Sequence, residues 1–255
     1  MKLKWLLLGL IIALAFLLRI YKVIQVPPAL NWDEVSIGYN AYSILKTGRD
    51  EWGVRFPLHF KSYGEYKLPG QIYASIPGIA IFGLNDLGIR ITPVIYGTLT
   101  VLLVYFLSRA LVTNELIALG SALLLAISPW HIQLTRASFE SSFSVFWVVL
   151  GLWLLVKGFT KPRYWILSIV ALAISVYTYN SARIFTPLFL FAIAIIFRKE
   201  FWKHKKEAIA SGVLFVLLML PLIPFVLSGE AKARYKLVSI TDDAGLVPRI
   251  EERRN

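Results

Sequence analysis

Seven apolar runs punctuate the chain: Trp5–Ile24, Pro93–Leu111, Leu116–Pro129, Phe143–Val156, Tyr164–Tyr179, Ile184–Phe197 and Ala208–Leu227. A helix that crosses a bilayer needs about 20 apolar residues, within a range of about 17–25. Several runs are shorter than that. Aromatic or snorkelling residues at their ends must then complete the crossing. The pattern predicts an all-α fold, a polytopic transmembrane helical bundle of about seven spans. The first run begins MKLKW, as a secretory signal does. No small-residue cleavage site follows it; Arg19, Tyr21 and Lys22 do, so it reads as an uncleaved first helix.

An eighth apolar stretch, Leu68–Leu84, is broken by Pro69, Gly70, Pro77, Gly78 and Gly83. Charge parity decides whether it crosses. Place the N-terminus, with Lys2 and Lys4, in the cytoplasm and keep 68–84 out of the count. The cytoplasmic loops then hold nine cations: Arg109, Lys157, Lys161, Arg163, Arg198, Lys199, Lys203, Lys205 and Lys206. The short outer loops hold only Arg136 and Arg183. A crossing at 68–84 would turn all nine outward, against the positive-inside rule. The stretch is therefore expected to lie in the outer interface or to re-enter it. The chain reads as one domain over 1–255. Its long first outer loop covers 25–90, with interfacial helices, and an outer tail covers 228–255.

Composition agrees. The chain has 255 residues, of which 57% are hydrophobic and 16% charged, with a mean hydropathy of +0.66. Soluble domains have about 45–50% apolar and about 25% charged residues. The absence of cysteine excludes a disulfide scaffold and thiolate chemistry. The net charge of +12 falls on loops beside spans, which points to anionic lipid and not to nucleic acid. The basic run RKEFWKHKKE is read as a cytoplasmic loop. His59, His131 and His204 have no metal-ligand spacing, and no GxGxxG loop offers to cradle a nucleotide. A divalent ion on Asp33 and Glu34 stays open as a reading, but two adjacent acids are too few ligands to argue it. No cofactor is expected.

The first outer loop opens VPPALNWDEVSIGYNAYSILKTGRDEWG. Pro27-Pro28 ends the first span. Val35, Tyr39, Tyr42 and Leu45 recur at helical spacing, which predicts a short amphipathic helix on the membrane surface. Asn31 or Asp33 would cap it and Gly48 would stop it. Asp33 and Glu34 have two readings: acids that favour the positive end of a helix, or a catalytic carboxylate whose basicity rises with partial desolvation. Lys67, just before Leu-Pro-Gly, is either a snorkelling lysine or a cation for a lipid phosphate. Arg136 lies four residues before Glu140, so it forms either a helical ion pair or a phosphate contact. Arg183 and Asn180 follow Tyr177 and Tyr179 at a tight outer turn. The two tyrosines read as interface anchors.

The chain's order is Pro-Pro, Asp-Glu, an aromatic amphipathic helix, Gly-Arg-Asp, Lys-x-Pro, Phe-Gly, and then Arg90 ahead of a span. This order resembles the C-type (GT-C) membrane glycosyltransferases, above all the protein O-mannosyltransferases and the bacterial aminoarabinose–lipid A transferases. The stretches SPWHIQLTRASFESS and YNSARIFTPL add to the likeness, which covers about residues 1–245. The resemblance implies a polyprenyl-phosphate sugar donor and a protein, lipid or glycan acceptor reacting through a hydroxyl or amine. It implies that Asp33, beside Glu34, is the catalytic base, and that the sugar is transferred with inversion. Lys67 corresponds to the family's lysine for the carrier phosphate, although this sequence reads Lys-Leu-Pro-Gly where many members have a Pro-Pro pair. Arg90, Arg136 and Arg183 are the further cations expected for that phosphate. The implied location is the bacterial or archaeal cytoplasmic membrane, with the reaction on its outer face. Such relatives usually have more spans, so the chain is expected to be an N-terminal portion. The rival readings are a flippase for lipid-linked saccharides, which would show broken helices in two repeated halves, and a non-catalytic membrane scaffold.

Overall fold

The computed structural model describes residues 2–233 and residue 252. Every one of the seven apolar runs is helical. Helix α1 (Lys2–Ile20) is followed by α2 (Trp32–Thr47) and by a two-stranded hairpin, β1 (Phe60–Ser62) with β2 (Glu65–Lys67). Then come α3 (Pro69–Phe82), α4 (Asp86–Leu111), α5 (Glu115–Ile127), α6 (Pro129–Arg136), α7 (Glu140–Gly158), α8 (Arg163–Val176) and α9 (Ala182–Ile196). The described chain closes with α10 (Arg198–Lys203) and α11 (Lys205–Met219). The latter runs through a 3-10 turn into α12 (Ile223–Leu227). Most of the expected tail, 228–255, lies outside the described residues.

Four helical segments are long and apolar enough to cross a membrane: Lys2–Ile20, Asp86–Leu111, Glu140–Gly158 and Lys205–Leu227. Helices α5 and α6 make a fifth if taken as one span bent by 56°. Helices α8 and α9 have only 14 and 15 residues. At 1.5 Å per residue they reach about 21–23 Å, short of a hydrocarbon core of about 30 Å. By length, then, four or five segments qualify, where the sequence pattern predicts seven. Helix α3, within the ambiguous stretch, has 14 residues and packs on α2 and α4.

Helix α4 is the centre of the bundle, with α1, α3, α5 and α7 packed around it. Without an apolar solvent contrast to drive association, helices in lipid rely on close backbone approach at small residues. Gly97 of α4 is such a point. A Cβ there would lie 2.5 Å from Cβ of Thr135 on α6. Elsewhere α1, α9 and α11 leave rows of large apolar side chains uncovered, among them Leu6, Leu10, Leu188, Phe191, Val213 and Leu217. That much contiguous apolar surface suits lipid, not water.

The bend between α5 and α6 has a local cause. Pro129 has no N–H and forces Ser128 out of helical geometry, which frees the last carbonyls of α5. Arg19 of α1, fully buried, supplies the missing donors. It bonds the Ala126 carbonyl at 3.3 Å, the Leu125 carbonyl at 3.5 Å, Thr135 Oγ1 at 3.0 Å and His131 Nδ1 at 2.7 Å. All these partners are neutral. The break in one helix is thus repaired from another.

Replacing Gly97 by Leu overlaps Thr135 and pushes α4 from α6. It should destabilise the protein by about 1–3 kcal/mol, the usual cost of overpacking, measured as a lower midpoint of thermal unfolding in detergent. A Gly120→Leu control, where a Cβ meets nothing within 4 Å, should leave the midpoint unchanged.

Candidate functional site

The site begins at the N-terminus of α2. Asn31 is the cap: its Oδ1 accepts from Glu34 N at 2.9 Å, and Glu34 Oε2 accepts from Asn31 N at 3.2 Å, a capping box. Gly48, with φ of 68°, ends the helix in the left-handed conformation. Asp33 and Glu34 are neighbours in sequence, but consecutive residues diverge by about 100° around a helix. They therefore enter different surroundings.

Glu34 turns inward, 1% exposed, and meets Arg90 of α4, which is wholly buried. Arg90 Nε donates to Glu34 Oε1 at 2.9 Å and Nη2 to Oε2 at 3.1 Å. Its remaining N–H groups donate to the carbonyls of Val23, Pro27 and Ala29 at 2.8–2.9 Å. A guanidinium has five N–H donors, and all five are committed. Glu34 Oε1 also accepts from Ser138 N at 3.2 Å. The geometry leaves Arg90 no donor for a lipid phosphate and keeps Glu34 away from a reacting group. The two residues form a closed, bidentate pair.

Asp33 turns outward to the hairpin. Lys67 Nζ donates to its Oδ1 at 2.5 Å and lies 3.6 Å from both Glu65 Oε1 and Glu140 Oε1. The lysine side chain is 3% exposed, Asp33 29%. Burial alone would lower the Lys67 pKa. Attraction by Glu140, Asp33 and Glu65 outweighs it and holds the ammonium above its ordinary value, so it stays charged at neutral pH.

These side chains line a cavity of about 390 Å³ whose walls come from three separate parts of the chain. The first loop supplies Asp33, Glu65 and Lys67. The segment between α6 and α7 gives Phe139, Glu140 and Ser141, and the turn between α8 and α9 gives Tyr179, Asn180 and Ser181. Among the described residues no group of three or more acids or histidines is arranged to hold a metal ion. The Lys67 ammonium sits between the three carboxylates instead.

Arg136 and Arg183 lie outside this cavity lining. Arg136 donates to the carbonyls of Val26 and Leu18 at 2.9–3.1 Å, clasping the end of α1 and the loop after it. Its expected pair with Glu140 does not form, because Ala137 and Phe139 are extended and break the helix between them. Arg183 Nη2 donates to Asn180 Oδ1 at 2.7 Å, and its guanidinium stands over the Phe225 ring. It orients a lining residue without reaching the cavity. Glu65 and Glu140 were not singled out from the sequence. Glu65 had a signal: it is two residues before Lys67, on the same face of a strand. Glu140 had none beyond heading an apolar run.

The hairpin is fixed from behind. Tyr63 and Gly64 both take positive φ, 45° and 81°, in its two-residue turn. On the face opposite Lys67, Tyr66 packs near Phe225 of α12, and the His59 ring stacks on Phe225 at 4.6 Å. His59 Nε2 lies 3.2 Å from Glu230.

Residues 72–225 match the family model described as dolichyl-phosphate-mannose-protein mannosyltransferase. An uncharacterized protein of Aquifex aeolicus (strain VF5) is 33% identical over 148 residues, which are 56% of this chain and 29% of that protein. The crystal structure of the Archaeoglobus fulgidus oligosaccharyltransferase in complex with Zn and sulfate matches with a TM-score of 0.66 at 18% identity, over 96% of this chain and 37% of the other. Its apo form gives 0.59 at 15% identity, over 93% and 39%. At such identities the likeness is one of fold. The chain thus spans between a quarter and two fifths of the length of the relatives it matches.

Removing either partner of the Glu34–Arg90 pair leaves a buried charge without compensation. Arg90→Met should cost about 3–5 kcal/mol, seen as a lowered thermal unfolding midpoint. Arg90→Lys should rescue little, because an ammonium has three donors and no planar fork.

Proposed function

Because the chain belongs to the dolichyl-phosphate-mannose-protein mannosyltransferase family, we propose that it transfers a sugar from a polyprenyl-phosphate donor to a hydroxyl or amine acceptor at the outer face of a bacterial or archaeal cytoplasmic membrane. A protein acceptor is the first class to try, as the family description has it. The observation that carries this reading is the cavity itself. One half-shielded carboxylate, Asp33, is held against one buried ammonium, Lys67, in a chamber formed by three distant segments.

In this reading Asp33 is the general base. Its Oδ1 is held by Lys67, and no described residue donates to Oδ2. That oxygen takes the proton from the acceptor as the acceptor atom attacks the anomeric carbon. The bond from that carbon to the phosphate oxygen breaks, and the phosphate leaves with the electron pair. Attack opposite the leaving group inverts the configuration. Lys67 exchanges its carboxylate contacts for the phosphate and neutralises the charge it gains; in a site with little water such a fixed cation is worth most. Phe139 and Tyr179 offer faces for the sugar ring. Ser141, Asn180 and Ser181 offer hydrogen bonds to its hydroxyls. Glu34 and Arg90 are positioning residues that fix the helix bearing Asp33.

The proposed topology has seven crossings with a cytoplasmic N-terminus, which puts all three cavity segments outside. Helices α8 and α9 complete their crossings with flanking residues, including Tyr177 and Phe197. On α2 the exposed stripe of Trp32, Val35 and Tyr39 rests on the membrane surface, and α3 lies in the interface.

Two measurements on the full-length protein test these statements. Asp33→Asn should reduce transfer from a polyprenyl-phosphate mannose by about 10²–10⁴-fold, the usual worth of a general base. Donor binding and thermal midpoint should be retained; an active variant removes Asp33 as the base. A cysteine introduced at Asn85 should react with a membrane-impermeant reagent added outside intact cells. Labelling only after lysis would place α3 across the membrane and overturn the seven-crossing arrangement.

A further inference from the structure

A second cavity, of about 530 Å³, lies apart from the one that holds Asp33. It lies among α7, α8, α9, α10 and α11, at the other end of the bundle. On α7, Glu140 belongs to the reaction cavity and Leu155 to this one, fifteen residues on, or about 22 Å along the helix. Its walls are almost wholly apolar, with Leu155, Ile169, Leu190 and Phe215 among them. Two cations, Arg198 and Lys205, are the charged residues of the lining, and Trp202 stands at the same end, 78% exposed.

Three further observations bear on what fills it. Residues 198–207 contain five basic side chains and two acids, Glu200 and Glu207. Neither acid lines the cavity, and Glu200 is engaged by Lys203 at 2.7 Å. Two polar atoms of lining residues, Trp165 Nε1 and Ser211 Oγ, are buried without a hydrogen-bond partner in an otherwise apolar setting. A Cβ added at Gly212 meets nothing within 4 Å, so the groove is open at its α11 wall.

We propose that this groove is a binding site for one anionic phospholipid, distinct from the donor site. Its acyl chain lies along the apolar walls, and its phosphate meets Arg198 and Lys205, with Trp202 at the level of the head group. Basic pockets between membrane helices on the cytoplasmic side have this chemistry, and an aromatic ring at the rim suits the interface. The donor phosphate is not the occupant, because its cation, Lys67, belongs to the opposite end. The charge balance favours an anionic head group over a zwitterionic one. Phosphatidylglycerol is the probe for the first and phosphatidylcholine for the second.

The test is native mass spectrometry of the delipidated full-length protein in detergent, titrated with each lipid. Phosphatidylglycerol should bind its first site at least tenfold more tightly than phosphatidylcholine. The pair Arg198→Gln with Lys205→Gln should abolish that preference, whereas Lys199→Gln with Lys203→Gln, outside the lining, should keep it. Gly212→Leu, which partly fills the groove, should weaken the first phosphatidylglycerol site severalfold. Equal affinity for the two lipids would overturn the proposal. So would a preference that survives loss of both lining cations, or one untouched by Gly212→Leu, which would mean adsorption to surface charge alone. Displacement of phosphatidylglycerol by an equimolar polyprenyl phosphate would reassign the groove to the isoprenoid and also overturn it.

Discussion

A guanidinium without access to water must be met donor by donor, and Arg90 is met completely. Two of its N–H groups go to Glu34 and three to backbone carbonyls of the connection between α1 and α2. Charges buried in this way add little net stability, since desolvation offsets most of the attraction. Their effect is geometric. One arginine fixes where the first loop leaves α1, where α2 begins and how α2 lies on α4. Through Glu34 and Ser138 it also reaches the segment that leads to Glu140.

The candidate site follows from that constraint. With Glu34 taken inward, the next residue back along the helix points elsewhere, and Asp33 meets the hairpin at Lys67. The hairpin is backed on its other face by Phe225, which packs near Tyr66. Three acidic side chains, Asp33, Glu65 and Glu140, thus surround this single buried lysine. Glu34 and Arg90 form a fully committed buried pair at this end of the bundle, whereas Asp33 meets Lys67 and keeps 29% of its side chain exposed.

Arg19 applies the same rule inside the bundle. Few charges lie within the apolar runs, and this one is spent on carbonyls that Pro129 releases from α5. A bent helix with its backbone satisfied from a neighbour is a stable element of an apolar bundle. It needs no coupling-ion pathway to explain it.

The sequence by itself determined that the chain is helical and apolar enough for a membrane. It located seven apolar runs that are helical among the described residues, the stop at Gly48, the helix that presents Asp33, and the family. Those properties depend on local signals: apolar run length, capping residues, and motif order along the chain. It also nominated Asp33 and Lys67. Only the tertiary structure decided that Asn31 and not Asp33 is the cap, that Glu34 and Arg90 satisfy each other, that Arg136 holds backbone instead of Glu140, and that Glu65 and Glu140 join Lys67. The physical reason is that an ionisable side chain takes its role from whichever partner shares its low-dielectric surroundings. For Arg90 and Glu34 that partner is 56 residues away, a distance over which spacing in the chain carries no information.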